Sequence, residues 1–160
     1  MLRVTLLHLL AAATIPLDGA FDLEIAVAIA DVQSVHHVPA GLVRAIIRCE
    51  SNFDARAVSK AGAIGLMQVM PFNARRVGIA PQELWVPTRN ILAGVRLLAV
   101  LLKYYDGDLI SVLVAYNAHP RKAFAPIPRN GDTPRYVAAV LKYYQANLGA
   151  PLSIGEIGPR

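Results

Sequence analysis

The chain has 160 residues, a length that suits one domain with its own hydrophobic core. Hydrophobic residues make up 55% of it and charged residues 17%, which excludes a disordered chain. A net charge of +5 and a pI of about 9.7 favour polyanions such as nucleic acid, an anionic membrane or an acidic cell wall; no run of Lys and Arg and no zinc-finger spacing marks a nucleic-acid binder.

Met1-Leu2-Arg3 and the apolar run at residues 4–13 have the form of a secretory leader. The run is too short for a membrane-spanning helix, so no stable span is expected once the leader is removed. Cleavage is expected after Ala20, with a cut after Ala13 as the alternative. The chain then divides into a leader at 1–20, a domain at 21–148 and a tail at 149–160 whose glycines and prolines fray it.

The spacing of Leu23, Ala26, Val27 and Ala30 predicts a helix over residues 22–36 with those side chains inward. Val38-Pro39 punctuates it, and a second helix runs over 40–50 with Leu42, Val43, Ile46 and Ile47 inward. Glu50 falls four residues after Ile46 and seven after Val43, so it leaves the helix end on an apolar face. Residues 51–66 are polar, carry Gly62 and Gly65, and read as a loop with room for a minimal strand element. A short helix follows over 67–77, disturbed at Pro71, and then a loop over 78–87.

Residues 88–105, with Ile91, Val95, Leu98 and Leu102, form the strongest amphipathic helix. Asp106-Gly107-Asp108 ends it and caps the next, over 109–117. Residues 119–131 hold three prolines and no periodicity, a connection long enough to suggest function. A last helix starts at Thr133-Pro134 as cap and first residue, with Val137, Val140, Leu141 and Tyr144 inward. The pattern predicts a compact, mainly α domain.

By position alone, a helix-end glutamate is expected to be solvated, and so is Glu50. An apolar enclosure would instead raise its pKa and suit it to acid catalysis. Cys49 is the only cysteine, so no intrachain disulfide forms. It reads as a small buried helix residue rather than a nucleophile. His36, His37 and His119 lack metal-ligand spacing; neither a metal nor a cofactor is expected.

The text around Glu50 changes its reading. Glu50-Ser51-Asn52-Phe53 is followed by Ser59, by Gly62-Ala63-Ile64-Gly65-Leu66-Met67-Gln68 and by Pro71. This resembles the signature of the soluble lytic transglycosylase family, whose fold is lysozyme-like and related to goose-type lysozyme. In that family a Glu-Ser pair precedes a Ser, then Gly-Ala-x-Gly-Leu-Met-Gln and a nearby Pro. Asn90 with Gly94 resembles the family's second motif, Ala115-Tyr116-Asn117-Ala118 its third, and Thr133 with Tyr136-Val137 its fourth. The resemblance covers residues 21–144, far more than a lone short motif.

The resemblance implies a lysozyme-like helical fold and one catalytic acid/base, Glu50. It would protonate the glycosidic oxygen between N-acetylmuramic acid and N-acetylglucosamine, then take the proton of the muramic 6-hydroxyl as a 1,6-anhydro ring closes. No second carboxylate is needed, unlike the usual glycosidase pair. The resemblance also implies that Ser59, Met67, Gln68, Tyr116, Asn117 and Tyr136 line the glycan groove. The residues leave alternatives open: Met67 as core, Gln68 as a cap, Tyr136 as a core aromatic. Tyr116 or Tyr136 would stack on a sugar or hold Glu50, and Trp85, in a loop, would extend the groove.

The sequence departs from the family at His119-Pro120, where Gly is usual after the third motif, and at Asp132, where Glu commonly precedes Thr133. The partner implied is the peptidoglycan glycan strand, met by an exported monomer in the periplasm, cell envelope or outside the cell. Work beside a secretion or conjugation apparatus is compatible with the size. The alternatives are a hydrolytic lysozyme, with Asp54, Asp106, Asp108 or Asp132 holding water, an inactive wall-binding module, and a basic membrane-active protein.

Overall fold

The structure is a computed structural model that describes residues 19–118 and 131–148. Its elements are α1 (Asp22–Val32), α2 (Ala40–Ser51), α3 (Pro71–Arg76), a 3-10 turn (Pro81–Trp85), α4 (Pro87–Tyr104), α5 (Leu109–Asn117) and α6 (Asp132–Asn147). Helix α4 is central: α1, α3, α5 and the 3-10 turn all pack on it. Helix α2 lies mainly against α6, and α5 also touches α6. No strand forms among the described residues. The minimal β element is two isolated antiparallel bridges, Val58 with Ile64 and Ile64 with Val69. No helix among the described residues is long and apolar enough to cross a membrane. The leader expectation falls on residues 1–20, of which all but Gly19 and Ala20 lie outside the described set, as do His119, Pro120 and residues 149–160.

The strongly patterned helices behave as their periodicity requires. Leu42, Val43, Ile46 and Ile47 of α2 are fully buried, as are Ile91, Val95 and Leu98 of α4, with Leu102 close behind. On α6 Val140 is fully buried, with Val137, Leu141 and Tyr144 packed partly beside it. Asp108 caps α5 by accepting from the Ile110 N–H at 3.2 Å.

Four expectations are corrected. Helix α1 buries Ile25, Ala28 and Val32, while Leu23 and Val27 are each 62% exposed. The period was right and the phase wrong, because an almost uniformly apolar helix has no clear polar face to set its rotation. A buried ion pair sets it instead: Arg44 of α2 donates through Nε to Asp22 at 2.8 Å, and Asp22 must face inward to reach it. The helix also stops at Val32 rather than residue 36, in a turn where the Val35 and His36 N–H groups both bond the Val32 carbonyl. Pro71 does not disturb a helix over 67–77; it starts α3, where its missing N–H costs nothing. Thr133 is not the cap of α6. Gly131 is, in a left-handed conformation (φ 72°), which frees the Thr133 side chain for another task.

The largest departure is the segment after α2. Residues 51–66 read as a polar loop and are irregular, but the end of that loop and the turn after it are core: Ala63, Leu66, Met67, Gln68 and Val69 are buried. A buried irregular backbone must find partners for its polar groups away from a regular ladder. Some pair within the loop, and side chains supply the rest, Asn90 on α4 among them. Its Oδ1 accepts from the Met67 N–H at 2.9 Å, and its Nδ2 donates to the carbonyls of Ile64 at 2.8 Å and Leu84 at 2.9 Å. Ser51 donates to Leu66 O at 2.8 Å, and Tyr116 donates to Met67 O at 2.9 Å. Gln68 Nε2 donates to Gly65 O at 2.9 Å and Ala57 O at 3.1 Å. Two glycines make this fit possible. A Cβ on Gly65 would strike the Asn90 amide, and one on Gly94 would strike the Met67 side chain from Cβ to Cε.

Asn90→Ala should therefore leave the Met67 N–H and the Leu84 carbonyl without their side-chain partner, while the Ile64 carbonyl keeps the Val69 N–H, and lower stability by about 2 kcal/mol or more, at roughly 1 kcal/mol or above for each buried group. Urea denaturation measures this. A loss below about 1 kcal/mol would show that the loop does not depend on Asn90.

Candidate active site

The site forms where α2 runs out. The helix ends at Ser51, and Asn52 and Phe53 both take left-handed backbone (φ 51° and 65°), which turns the chain sharply away. Ser51 ties that end to the buried loop through Leu66 O. Glu50 is thus held in the last turn, between the loop, α5 and α6.

Glu50 is half-buried as a residue, but its Oε1 is fully enclosed and has no hydrogen-bond partner. Burial pushes its pKa up from 4.5 to about 7, because a carboxylate in an apolar enclosure loses its hydration. The Tyr136 hydroxyl opposes that rise as a nearby donor. The two groups do not close a full hydrogen bond: the Tyr136 hydroxyl is also enclosed and without a partner. Among the described residues, no second carboxylate contributes to the Glu50 shift.

Tyr116 completes the cluster. It is 5% exposed, and both burial and the negative charge of Glu50 hold its phenol well above the usual range. Its own proton is donated to Met67 O, so toward Glu50 it offers a lone pair. Tyr136 responds to the same causes, burial first and then Glu50, with Tyr116 behind them. The three side chains from α2, α5 and α6 therefore sense one another. Cys49, beside them, is pushed up to about 11 by burial and then by Glu50, with Arg48 opposing. At neutral pH it is a thiol and a poor nucleophile.

The other predicted site residues divide. Asn117, the last residue of α5, is half-buried, and its Oδ1 accepts from the Thr133 hydroxyl at 3.0 Å. Ser59 is half-buried and its Oγ accepts from the Ala63 N–H at 3.0 Å, which closes a tight turn. Gln68 is 5% exposed with its amide nitrogen committed to the loop backbone, in a left-handed conformation (φ 46°). Met67 is fully buried against Gly94, so its side chain is core and shapes the site from behind. Trp85 is half-exposed at the end of the 3-10 turn. Among the described residues no group of three His, Cys, Asp or Glu could hold a metal ion, and His119 lies outside them.

Sequence reasoning gave Ser51 and Asn90 no role of their own and read Thr133 only as a helix cap. Each stood inside a quoted motif, but their spacing says nothing of partners 15, 23 and 16 residues away.

Comparison with known proteins agrees with this arrangement. Residues 28–137 match the family described as the transglycosylase SLT domain. The transglycosylase of Enterobacteria phage PRD1 is 38% identical over 82 residues, covering 51% of this chain and 30% of the relative. The membrane-bound lytic murein transglycosylase C of Haemophilus influenzae (strain PittEE) is 41% identical over 93 residues, covering 48% and 26%. The chain therefore spans under a third of the length of these curated relatives. Among solved structures, an inactive variant of the lytic transglycosylase Slt from Pseudomonas aeruginosa superposes with a TM-score of 0.66 at 28% identity, over 86% of this chain and 26% of that one. The 70-kDa soluble lytic transglycosylase of Escherichia coli gives 0.64 at 25%, over 82% and 26%. Four motifs on one helical scaffold, with one enclosed glutamate at their centre, have the order and the fold of these enzymes, and the chain belongs to the SLT transglycosylase domain family.

Proposed function

We propose that this chain is a peptidoglycan lytic transglycosylase with Glu50 as its single acid/base. The observation that carries the reading is the enclosed Glu50 carboxyl, whose pKa of about 7 keeps a large protonated fraction at neutral pH, with no second carboxylate among the described residues contributing to it. A general acid needs that match between pKa and working pH. The relatives named lytic murein transglycosylases support the same chemistry.

In the first step Glu50 gives its proton to the glycosidic oxygen linking N-acetylmuramic acid to N-acetylglucosamine. The bond from that oxygen to the anomeric carbon breaks, and the leaving sugar departs as an alcohol. The muramic 6-hydroxyl oxygen then bonds to the anomeric carbon and its proton passes to Glu50. The 1,6-anhydro ring closes, the acid is restored, and no water is consumed. Tyr136, with a hydroxyl proton not committed elsewhere, supports the carboxylate form between the two steps. Tyr116 acts as an acceptor beside the acid form while it holds the loop. Asn117 and Ser59 offer amide and hydroxyl groups to the sugars, and Gln68 braces the loop behind them.

Such an enzyme works at the cell envelope, consistent with the membrane-bound relatives and with the leader read in residues 1–20. Glycan strands are its partner, whether for general turnover or for opening the wall beside a secretion or conjugation apparatus, and it acts as a monomer.

Digestion of purified peptidoglycan, read by mass spectrometry, tests this. The protein should release 1,6-anhydro muropeptides, and Glu50→Gln should lose at least about a hundredfold in rate, the scale of one positioned acid/base. Reducing-end products, heavier by one water, would make it a hydrolase instead.

Two pH dependences follow from the Glu50 shift. Activity should fall about tenfold per pH unit above about 7, as the acid form is lost. Stability should also fall as pH rises. Between 4.5 and about 7 the folded protein keeps the Glu50 proton and the unfolded chain releases it, so the folded state binds more protons and loses ground with rising pH. Glu50→Gln removes this cost. Relative to the parent it should gain up to about 3 kcal/mol at pH 8, from a shift of roughly 2.5 units, and almost nothing at pH 4. Thermal unfolding across that range reads the difference; a pH-independent difference would show that Glu50 titrates normally.

A further inference from the structure

The bond between Thr133 and Asn117 has no part in holding the buried loop or in the proton transfers above. Thr133 is 1% exposed, in the first turn of α6, and its hydroxyl crosses to the final residue of α5. Because Gly131 caps α6, the threonine is released from the capping that its sequence position suggests. Three residues further along the same helix face stands Tyr136, whose hydroxyl is enclosed next to Glu50. One residue before Asn117 stands Tyr116, which also senses Glu50. Thr133 therefore joins the two helix ends that carry both site tyrosines.

A terminal amide turns easily, and its two corners have opposite chemistry: an oxygen that accepts and an NH2 that donates. A threonine hydroxyl donating to Oδ1 selects one orientation and directs the NH2 away from α6. We propose that Thr133 is a positioning residue, holding the Asn117 amide so that its NH2 is presented as a donor to the acetamido carbonyl of an N-acetylated sugar. This rests on the glycan-cleaving reading above, but concerns binding and not the proton transfers. It also gives a physical reason for a threonine at this place: valine matches its shape and lacks the donor.

The test is the affinity of N-acetylglucosamine oligomers, measured by calorimetry in the Glu50→Gln protein so that turnover does not intrude. In that background Thr133→Val should weaken binding about tenfold, the scale of one ordered hydrogen bond, and Thr133→Ser should restore it to within about twofold. Asn117→Ala should lose a similar amount, with Thr133→Val adding nothing further on top of it. Unchanged affinity in Thr133→Val, an equal loss in Thr133→Ser, or additive losses in the pair would each overturn the proposal. Should Thr133→Val fail to fold, Asn117→Asp carries the test alone. It keeps the oxygen that Thr133 engages and replaces the NH2, so binding must fall; parent-like binding would overturn the donor role. No binding of the oligomers to the parent at all would overturn it too. Product mass in the peptidoglycan digest decides the transglycosylase reading separately, since hydrolytic products would sink that reading and leave this binding result standing.

Discussion

The site depends on the backbone of one residue, Met67, being held on both its polar groups within the core. Its N–H is taken by Asn90 from α4 and its carbonyl by Tyr116 from α5. Two backbone groups this deep and outside any ladder would otherwise cost several kcal/mol. Satisfying them with two side chains from separate helices makes the loop, α4 and α5 a single construction. The motifs far apart in the chain are thus parts of one object. The second motif holds the first through Asn90 and makes room for it at Gly94, and the third closes over it with Tyr116. Glu50 stands at the edge of this construction, and Ser51 fastens its helix end to the same loop.

That rigidity is what allows an unfavourable carboxyl to persist. Glu50 gives up hydration for a position in which its Oε1 has no partner, and its raised pKa is the measure of the cost. A flexible loop would let water in and return the group to its ordinary range. The two tyrosines beside it differ in what they can offer. Tyr116 has committed its proton to the loop and so structures the site, whereas the enclosed Tyr136 hydroxyl has no hydrogen-bond partner. Stability is given up for a carboxyl that keeps its proton near neutral pH, which is what the proposed acid role requires.

Much of the architecture could be read before any coordinates. Helices α2 and α4 announced themselves because each has one apolar stripe and one polar face, and burial follows that division. Helix α1 shows the limit of the same reasoning. With apolar residues nearly all round, its rotation was decided by the ion pair between Asp22 and Arg44, a contact across 22 residues that periodicity cannot report. The segment after α2 is the loop that the sequence predicts, but its depth was hidden for a related reason. Its glycines and small polar residues have the composition of a surface segment, and only its partners on other helices make it core.

The sequence by itself determined the helical class, the inward faces of the amphipathic helices and, through the order of four motifs, the family and the candidate acid. It could do so because periodicity and motif order are local or linear properties of the chain. The tertiary structure alone decided that Glu50 is enclosed rather than solvated, that Met67 and Gln68 shape and brace the site from within, and that Ser51, Asn90 and Thr133 hold its parts together. Each of these depends on which groups meet across long stretches of chain, and desolvation and hydrogen-bond pairing exist only once they have met.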